Sequence, residues 1–232
     1  MPEPLVLGIE TSGLWTGAAL VSGERVLFEE SVGPGTGHNE VIVGLLDRAF
    51  RSSGIGPAAL AGIGVTAGPG MFTSLRVGLA AAKALAMAAG CALRGVDTLA
   101  ALAATAGPGG AVLALIDAHR GQVYAALWDD GEARLEPAVV DPDRVVDWLE
   151  GKPPAGPALR LAGSGTELCI GNLVSAGRDC ADTGVRAPAA RVVARLAAAD
   201  IAAGRADSLA DLAPRYLRRT DAELARERQH PA

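Results

Sequence analysis

The chain reads as an α/β protein of two similar lobes, each built from a βββαβα unit. Three observations carry this reading. Three short strand patterns open the chain, and the same pattern restarts after a glycine-rich stretch, Gly107-Pro108-Gly109-Gly110. Each trio of strands is followed by helix and strand patterns in the same order. The 232 residues, 50% of them hydrophobic and 20% charged, suffice for one large core or two small lobes.

The elements follow in order. Leu5 to Ile9 is a short apolar run ended by the turn signal Thr11-Ser12-Gly13. Trp15 to Val21 predicts a second strand, Ser22-Gly23 a tight turn, and Arg25 to Val32 an alternating third strand. Gly33-Pro34-Gly35-Thr36-Gly37 is a loop. A helix follows over about His38 to Arg51, since Ile42, Leu45, Leu46, Ala49 and Phe50 recur at helical spacing. Leu60 to Thr66 reads as a buried strand, Ala67 to Gly70 as a sharp loop, and Phe72 to Ala89 as a long helix. Leu93 to Val96 and Thr98 to Ala104 close the half as strand and short helix.

Beyond the glycines, Ala111 to Asp117, Gln122 to Trp128 and Ala133 to Val140 predict three strands. Asp141 and Pro142 are suited to open a helix running to Glu150. Leu159 to Ala162 predicts a strand and Pro188 to Ala203 an Ala-rich helix; Thr166 to Arg186 gives no clear pattern. Val6 to Glu10 overlays Leu113 to Asp117, and at the same offset Ala19-Leu20 falls on Ala126-Leu127. The division expected is an N-terminal lobe over 1–106, a glycine hinge over 107–110, a C-terminal lobe over 111–218 and a flexible tail over 219–232. A duplicated βββαβα unit with a cleft between its lobes is the architecture shared by actin, Hsp70 chaperones and sugar kinases (the ASKHA fold).

Charge and cysteines exclude several classes. The net charge of −5 argues against a broad basic surface for nucleic acid, and the tail from residue 214 carries five Arg against three acids, a mild local excess. Cys91, Cys169 and Cys180 form no CxxC, which fits a reducing cytoplasm and no disulfide framework. The N-terminus lacks a basic region and reads as no signal peptide. No membrane span is expected, because Lys83 interrupts the most apolar stretch. The histidines His38, His119 and His230 form no HxxxH or HExxH, so no metal site is expected, and no GxSxG elbow is present.

In a two-lobe fold of this kind, phosphates sit between the first hairpins of the two lobes. Glu10-Thr11-Ser12-Gly13 is the first such turn and carries hydroxyls. Asp117-Ala118-His119-Arg120-Gly121 is the second, with bulky residues where close backbone approach needs small ones. Two readings stand: a nucleotide site, or ordinary hairpin turns left from a nucleotide-binding ancestor. Gly68-Pro69-Gly70 has no GK[ST] and is no Walker A loop. On Phe72 to Ala89, the small residues Gly78, Ala82, Ala86 and Gly90 recur every fourth position beside Leu75, Leu79 and Leu85. Arg76 and Lys83 are the helix's only charges. Apolar almost all round, it predicts two buried faces, one on the sheet and one on a partner; Val41, Ile42, Leu45 and Leu46 suggest the same for the preceding helix.

Ile9-Glu10-Thr11-Ser12, His38-Asn39-Glu40 and Gly68-Pro69-Gly70-Met71-Phe72-Thr73-Ser74-Leu75-Arg76-Val77-Gly78 resemble the TsaB (YeaZ) family, a subunit of the bacterial tRNA threonylcarbamoyladenosine machinery. The likeness covers most of the first 105 residues. The family's loop usually reads GPGSFTGLRIG, from which Met71 and Ser74 depart. The second half matches in element order and in the closing Pro214-Arg215-Tyr216-Leu217-Arg218.

The resemblance implies an actin-like, cytoplasmic, non-catalytic subunit. Its expected partners are a TsaD-type paralogue that holds the metal and transfers the threonylcarbamoyl group, a TsaE-type ATPase, and a second copy when alone, with tRNA reached indirectly. No cofactor is expected in the isolated chain, ATP or ADP entering with the complex. The partner surface implied lies on the two helices, at His38, Val41, Ile42, Leu45, Leu46, Phe72, Leu75, Arg76, Gly78, Leu79, Ala82, Lys83 and Ala86. Glu10, Thr11, Ser12 and Asp117 are then a vestigial phosphate turn. The alternative is a small-molecule kinase or ATPase of the same fold acting through Glu10, Thr11 and Asp117.

Overall fold

The structure, a computed structural model, describes residues 3–150 and 158–218. The expected tail over 219–232 and the loop Lys152 to Pro157 lie outside the described residues, as does His230. The first half forms β1 (Leu5–Glu10), β2 (Thr16–Ser22), β3 (Arg25–Val32), α1 (His38–Ser53), β4 (Gly62–Gly68), α2 (Phe72–Ala89), β5 (Ala92–Asp97) and α3 (Thr98–Thr105). The second forms β6 (Ala111–Asp117), β7 (Val123–Asp129), β8 (Glu132–Val140), α4 (Val145–Trp148), β9 (Leu159–Ala162), α5 (Thr166–Ser175), β10 (Cys180–Asp182) and α6 (Ala190–Ala202).

The duplication is visible in the strand order. One sheet runs β3-β2-β1-β4-β5, and the other, read from its far edge, runs β8-β7-β6-β9-β10. In both, the first three strands are antiparallel and the last two join parallel. Glu10 and Asp117 each end the first strand of their half. Glu10 pairs with Gly17 and Asp117 with Val123, so the second hairpin turn is one residue shorter. The equal-offset match of Ala19-Leu20 to Ala126-Leu127 is therefore out of register by one.

Helix ends follow local chemistry. Gly54 and Gly90 take left-handed φ of 68° and 66° after α1 and α2, closing each helix where a side chain would be strained. Asp97 caps α3, its Oδ1 accepting from Ala100 N at 2.9 Å. Asp141 does not cap the expected helix. Its Oδ1 accepts from Gln122 Nε2 at 2.8 Å, and a 3₁₀ turn over Pro142–Arg144 leads into the four-residue α4. The unread segment supplies α5 and β10.

Each half keeps its own core: Leu7, Ile9, Leu20, Ile63, Val65 and Leu79 in the first, Leu113, Leu115, Leu127, Leu161 and Leu173 in the second. The closing helices are exchanged. α3 packs Leu99, Leu102 and Ala103 against Val112, Ala114, Ala126 and Ala162 of the second sheet. α6 packs Val193, Ala194 and Ala197 against Val6, Val21 and Val96 of the first. Glycines make the second contact. A Cβ on Gly8 would lie 2.1 Å from Ala190 O, and one on Gly64 would lie 2.4 Å from Ala197 Cβ. Bare backbone lets a helix lined with alanines sit directly on the sheet. By packing, α3 goes with the second sheet and α6 with the first, so the chain crosses between the halves before each of these helices.

Candidate functional site

A cleft of about 190 Å³ lies between the halves, walled by Ser12 to Trp15 and Met71 on one side and by Ile116, Asp117, His119 and Ser164 on the other. Leu102 of α3 and Pro188, just ahead of α6, also line it. The first hairpin turn forms one wall, but its polar atoms face inward. Glu10 Oε1 accepts from Ser12 N at 2.7 Å and from Ser12 Oγ at 2.5 Å. Thr11 is fully buried; its Oγ1 has no partner and lies where a Cβ on Gly78 would stand, 2.1 Å away. The hydroxyls expected to meet a phosphate are therefore turned into the protein. Glu10 is 2% exposed and its Oε2 is unpartnered. Burial pushes its carboxyl up to about 7, against the hydrogen bonds from Ser12.

The second turn is spent on itself. Asp117 Oδ1 accepts from His119 N at 2.7 Å, and Asp117 N donates to Ser164 Oγ at 3.1 Å. His119, Arg120 and Gly121 take φ of 58°, 57° and 73°, so three successive residues are left-handed. Arg186, which also lines the cleft, engages Asp182 through two hydrogen bonds, at 2.8 and 2.6 Å, and holds that carboxyl at about 2. Ser12 and Asp117 do come together across the cleft; Glu10 and Thr11 sit behind its wall. Among the described residues no three His, Cys, Asp or Glu side chains gather as a metal site. Burial raises all three cysteine thiols, Cys169 to about 11, which leaves no activated thiolate.

The helices α1 and α2 sort their residues differently from expectation. Ile42, Leu45, Leu75, Gly78, Leu79, Ala82 and Ala86 are buried inside the first lobe. The small-residue line faces inward because Gly78 must clear Thr11. His38, Val41, Leu46 and Lys83 are half-buried, and only Phe72 and Arg76 of the expected surface are exposed. His38 is held at the start of α1 by a 2.7 Å hydrogen bond between its Nδ1 and Thr16 Oγ1, and burial lowers its pKa. The outward faces carry residues the spacing argument missed: Val43 at 71% and Met87 at 73% exposed, with Ala80, Ala84 and Ala88 also exposed. The available signal was their phase. Val43 stands outside the line Ile42, Leu45, Ala49, and Met87 outside Leu75, Leu79, Ala82, Ala86. α2 is also the one described helix apolar and long enough to cross a membrane, with mean hydropathy 1.3; here its inner side packs on the first lobe's core.

Two five-stranded sheets of equivalent order, each with its own core and a cleft between them, define an actin-like two-lobe α/β protein. Comparison with known proteins narrows the class. The profile of the family described as "TsaD: tRNA N6-adenosine threonylcarbamoyltransferase" matches residues 35–226. The chain belongs to this family, in its TsaB (YeaZ) branch. It is 31% identical over 147 residues to the "tRNA threonylcarbamoyladenosine biosynthesis protein TsaB" of Bacillus subtilis, a match covering 62% of this chain and 64% of that one. It is 37% identical over 110 residues to a "tRNA N6-adenosine threonylcarbamoyltransferase" of Tropheryma whipplei, covering 41% of this chain and 27% of the relative. The chain therefore spans less than two thirds of either relative's length. The solved structure "YeaZ from Pseudomonas aeruginosa" superposes with a TM-score of 0.78 at 25% identity, covering 92% of this chain and 100% of that one.

Proposed function

We propose that this chain is a non-catalytic subunit of the machinery that forms N6-threonylcarbamoyladenosine in tRNA. It binds a TsaD-type transferase through the outward faces of α1 and α2, and a TsaE-type ATPase joins the assembly. In the absence of the transferase, a second copy of the chain covers the same faces as a weak homodimer. The chain works in the cytoplasm and holds no cofactor of its own; ATP or ADP enters with the complex, and tRNA is met through the transferase.

The carrying observation is the inward disposition of the first hairpin turn. Ser12 Oγ is held by Glu10 and Thr11 is sealed under Gly78, so neither hydroxyl is free for a nucleotide. The relatives' names supply the pathway, and the exposed Val43 and Met87 supply apolar surface in need of cover. A charge at the centre of such a contact removes apolar area and buries an ion. Met87→Glu is expected to weaken transferase binding at least tenfold while leaving the unfolding midpoint unchanged. Nucleoside mass spectrometry of tRNA from cells depleted of the protein should show loss of threonylcarbamoyladenosine. Normal levels there, together with micromolar ATP–magnesium binding by the isolated chain in titration calorimetry, would instead establish a kinase or ATPase working in the cleft.

A further inference from the structure

The segment Pro214 to Arg218 has no part in the function proposed above, yet it touches both halves beside the cleft. On the first half, Arg215 N donates to Ala67 O at 2.6 Å. The Arg215 carbonyl lies 2.5 Å from where a Cβ on Gly68 would stand, so that approach requires glycine. Tyr216 stacks on Phe72 with ring centroids 5.0 Å apart and planes at 24°. Arg76 donates from Nε to the Tyr216 hydroxyl at 3.0 Å, and its guanidinium carbon lies 3.8 Å over the Phe72 ring. On the second half, Arg218 donates to Ala118 O at 3.2 Å and to Gln122 Oε1. Ala118 and Gln122 close the second hairpin turn, Ala118 N donating to Gln122 O at 2.9 Å.

We propose that Tyr216 and Arg218 form a latch across the interlobe cleft. Three consecutive residues tie the first turn of α2 to the second hairpin turn. The halves are otherwise joined through the exchanged helices α3 and α6. A rotation that widens the cleft about those helices must stretch the segment between its two attachments. The opening of the cleft and the loosening of the first turn of α2 are then one event, because the same side chains restrain both. The ring stack and the guanidinium contacts are exposed or half-buried, which places their release among the low-energy openings of the native state rather than in global unfolding.

Hydrogen exchange of the full-length chain, read by mass spectrometry, tests the coupling. Arg218→Ala is expected to speed exchange at least tenfold in peptides covering 117–124 and also in those covering 75–79, with the denaturation midpoint little changed. Gln122→Ala, which removes the acceptor and keeps the arginine, is expected to give the same paired response. Tyr216→Phe keeps the ring and loses the hydroxyl, and is expected to speed both segments less. Faster exchange at 117–124 alone in Arg218→Ala and Gln122→Ala overturns the latch, since each contact would then be local. Wild-type exchange in both segments overturns it as well.

Discussion

At the scale of single residues, the chemistry of the first turn is concentrated in Glu10. The folded protein keeps its proton up to about pH 7, whereas the unfolded chain releases it near the ordinary value of 4.5. Between those limits the folded state binds more protons, so stability falls as pH rises, by roughly 3 kcal/mol in all. Glu10→Gln keeps an oxygen for Ser12 N and Oγ and removes the ionisation. Thermal unfolding should show the variant matching the wild type near pH 4.5 and exceeding it at pH 8; an equal gap at both values would place the penalty elsewhere. The sequence supplied Glu10 and Ser12 as neighbours in a turn. It could not supply their mutual hydrogen bond, because spacing in a turn does not say whether a side chain points out or back. Asp141 teaches the same lesson: a suitable cap residue spent its oxygen on Gln122, a tertiary partner that no local pattern announces.

Helices and strands were legible where one face alone is buried or where glycine marks an end. α2 was read with both of its limits, since Gly70 and Gly90 bracket it and its apolar run is continuous. Its orientation was not legible, because a helix that is apolar all round offers no phase. The structure settles the phase through Gly78, and two substitutions separate the faces. Leu79→Glu puts a charge into the first core and should lower stability by more than about 2 kcal/mol, whatever partner is present. Met87→Glu should lower none, and sedimentation should show it abolishing the proposed self-association. Equal loss of stability in the two variants would mean that Met87 is covered within the chain. The sheet under α6 makes a second element-level prediction. Gly8→Ala drives a methyl group into the backbone at Ala190, and overpacking of this kind costs about 1–3 kcal/mol. Chemical denaturation should show that loss, while Gly13→Ala, which meets nothing within 4 Å, should be close to neutral.

For the whole molecule, the duplicated order of elements was readable because each unit repeats the same periodicities around the same kind of turn. The exchange of the closing helices was not. α3 and α6 carry apolar faces that would serve either sheet, and only the close fit of Ala190, Ala194 and Ala197 over Gly8 and Gly64 selects the far one. Composition shows that both sets of small residues exist; it does not show that they meet. The glycine stretch at 107–110 joins α3 to β6, and the chain returns to the first sheet at α6.

The exchanged helices also determine what a cut would do. A chain cleaved once within Gly107 to Gly110 would leave two pieces, each holding a helix lodged on the other's sheet. Such pieces are interlocked by buried surface, not joined merely by their former peptide bond. A protein nicked there should migrate as two bands under denaturing conditions and as one species on a native sizing column, and the fragment 1–106 expressed alone should leave the glycine-floored face of its sheet bare and aggregate. The two halves match in strand order yet are locked together by the helices each lays on the other's sheet.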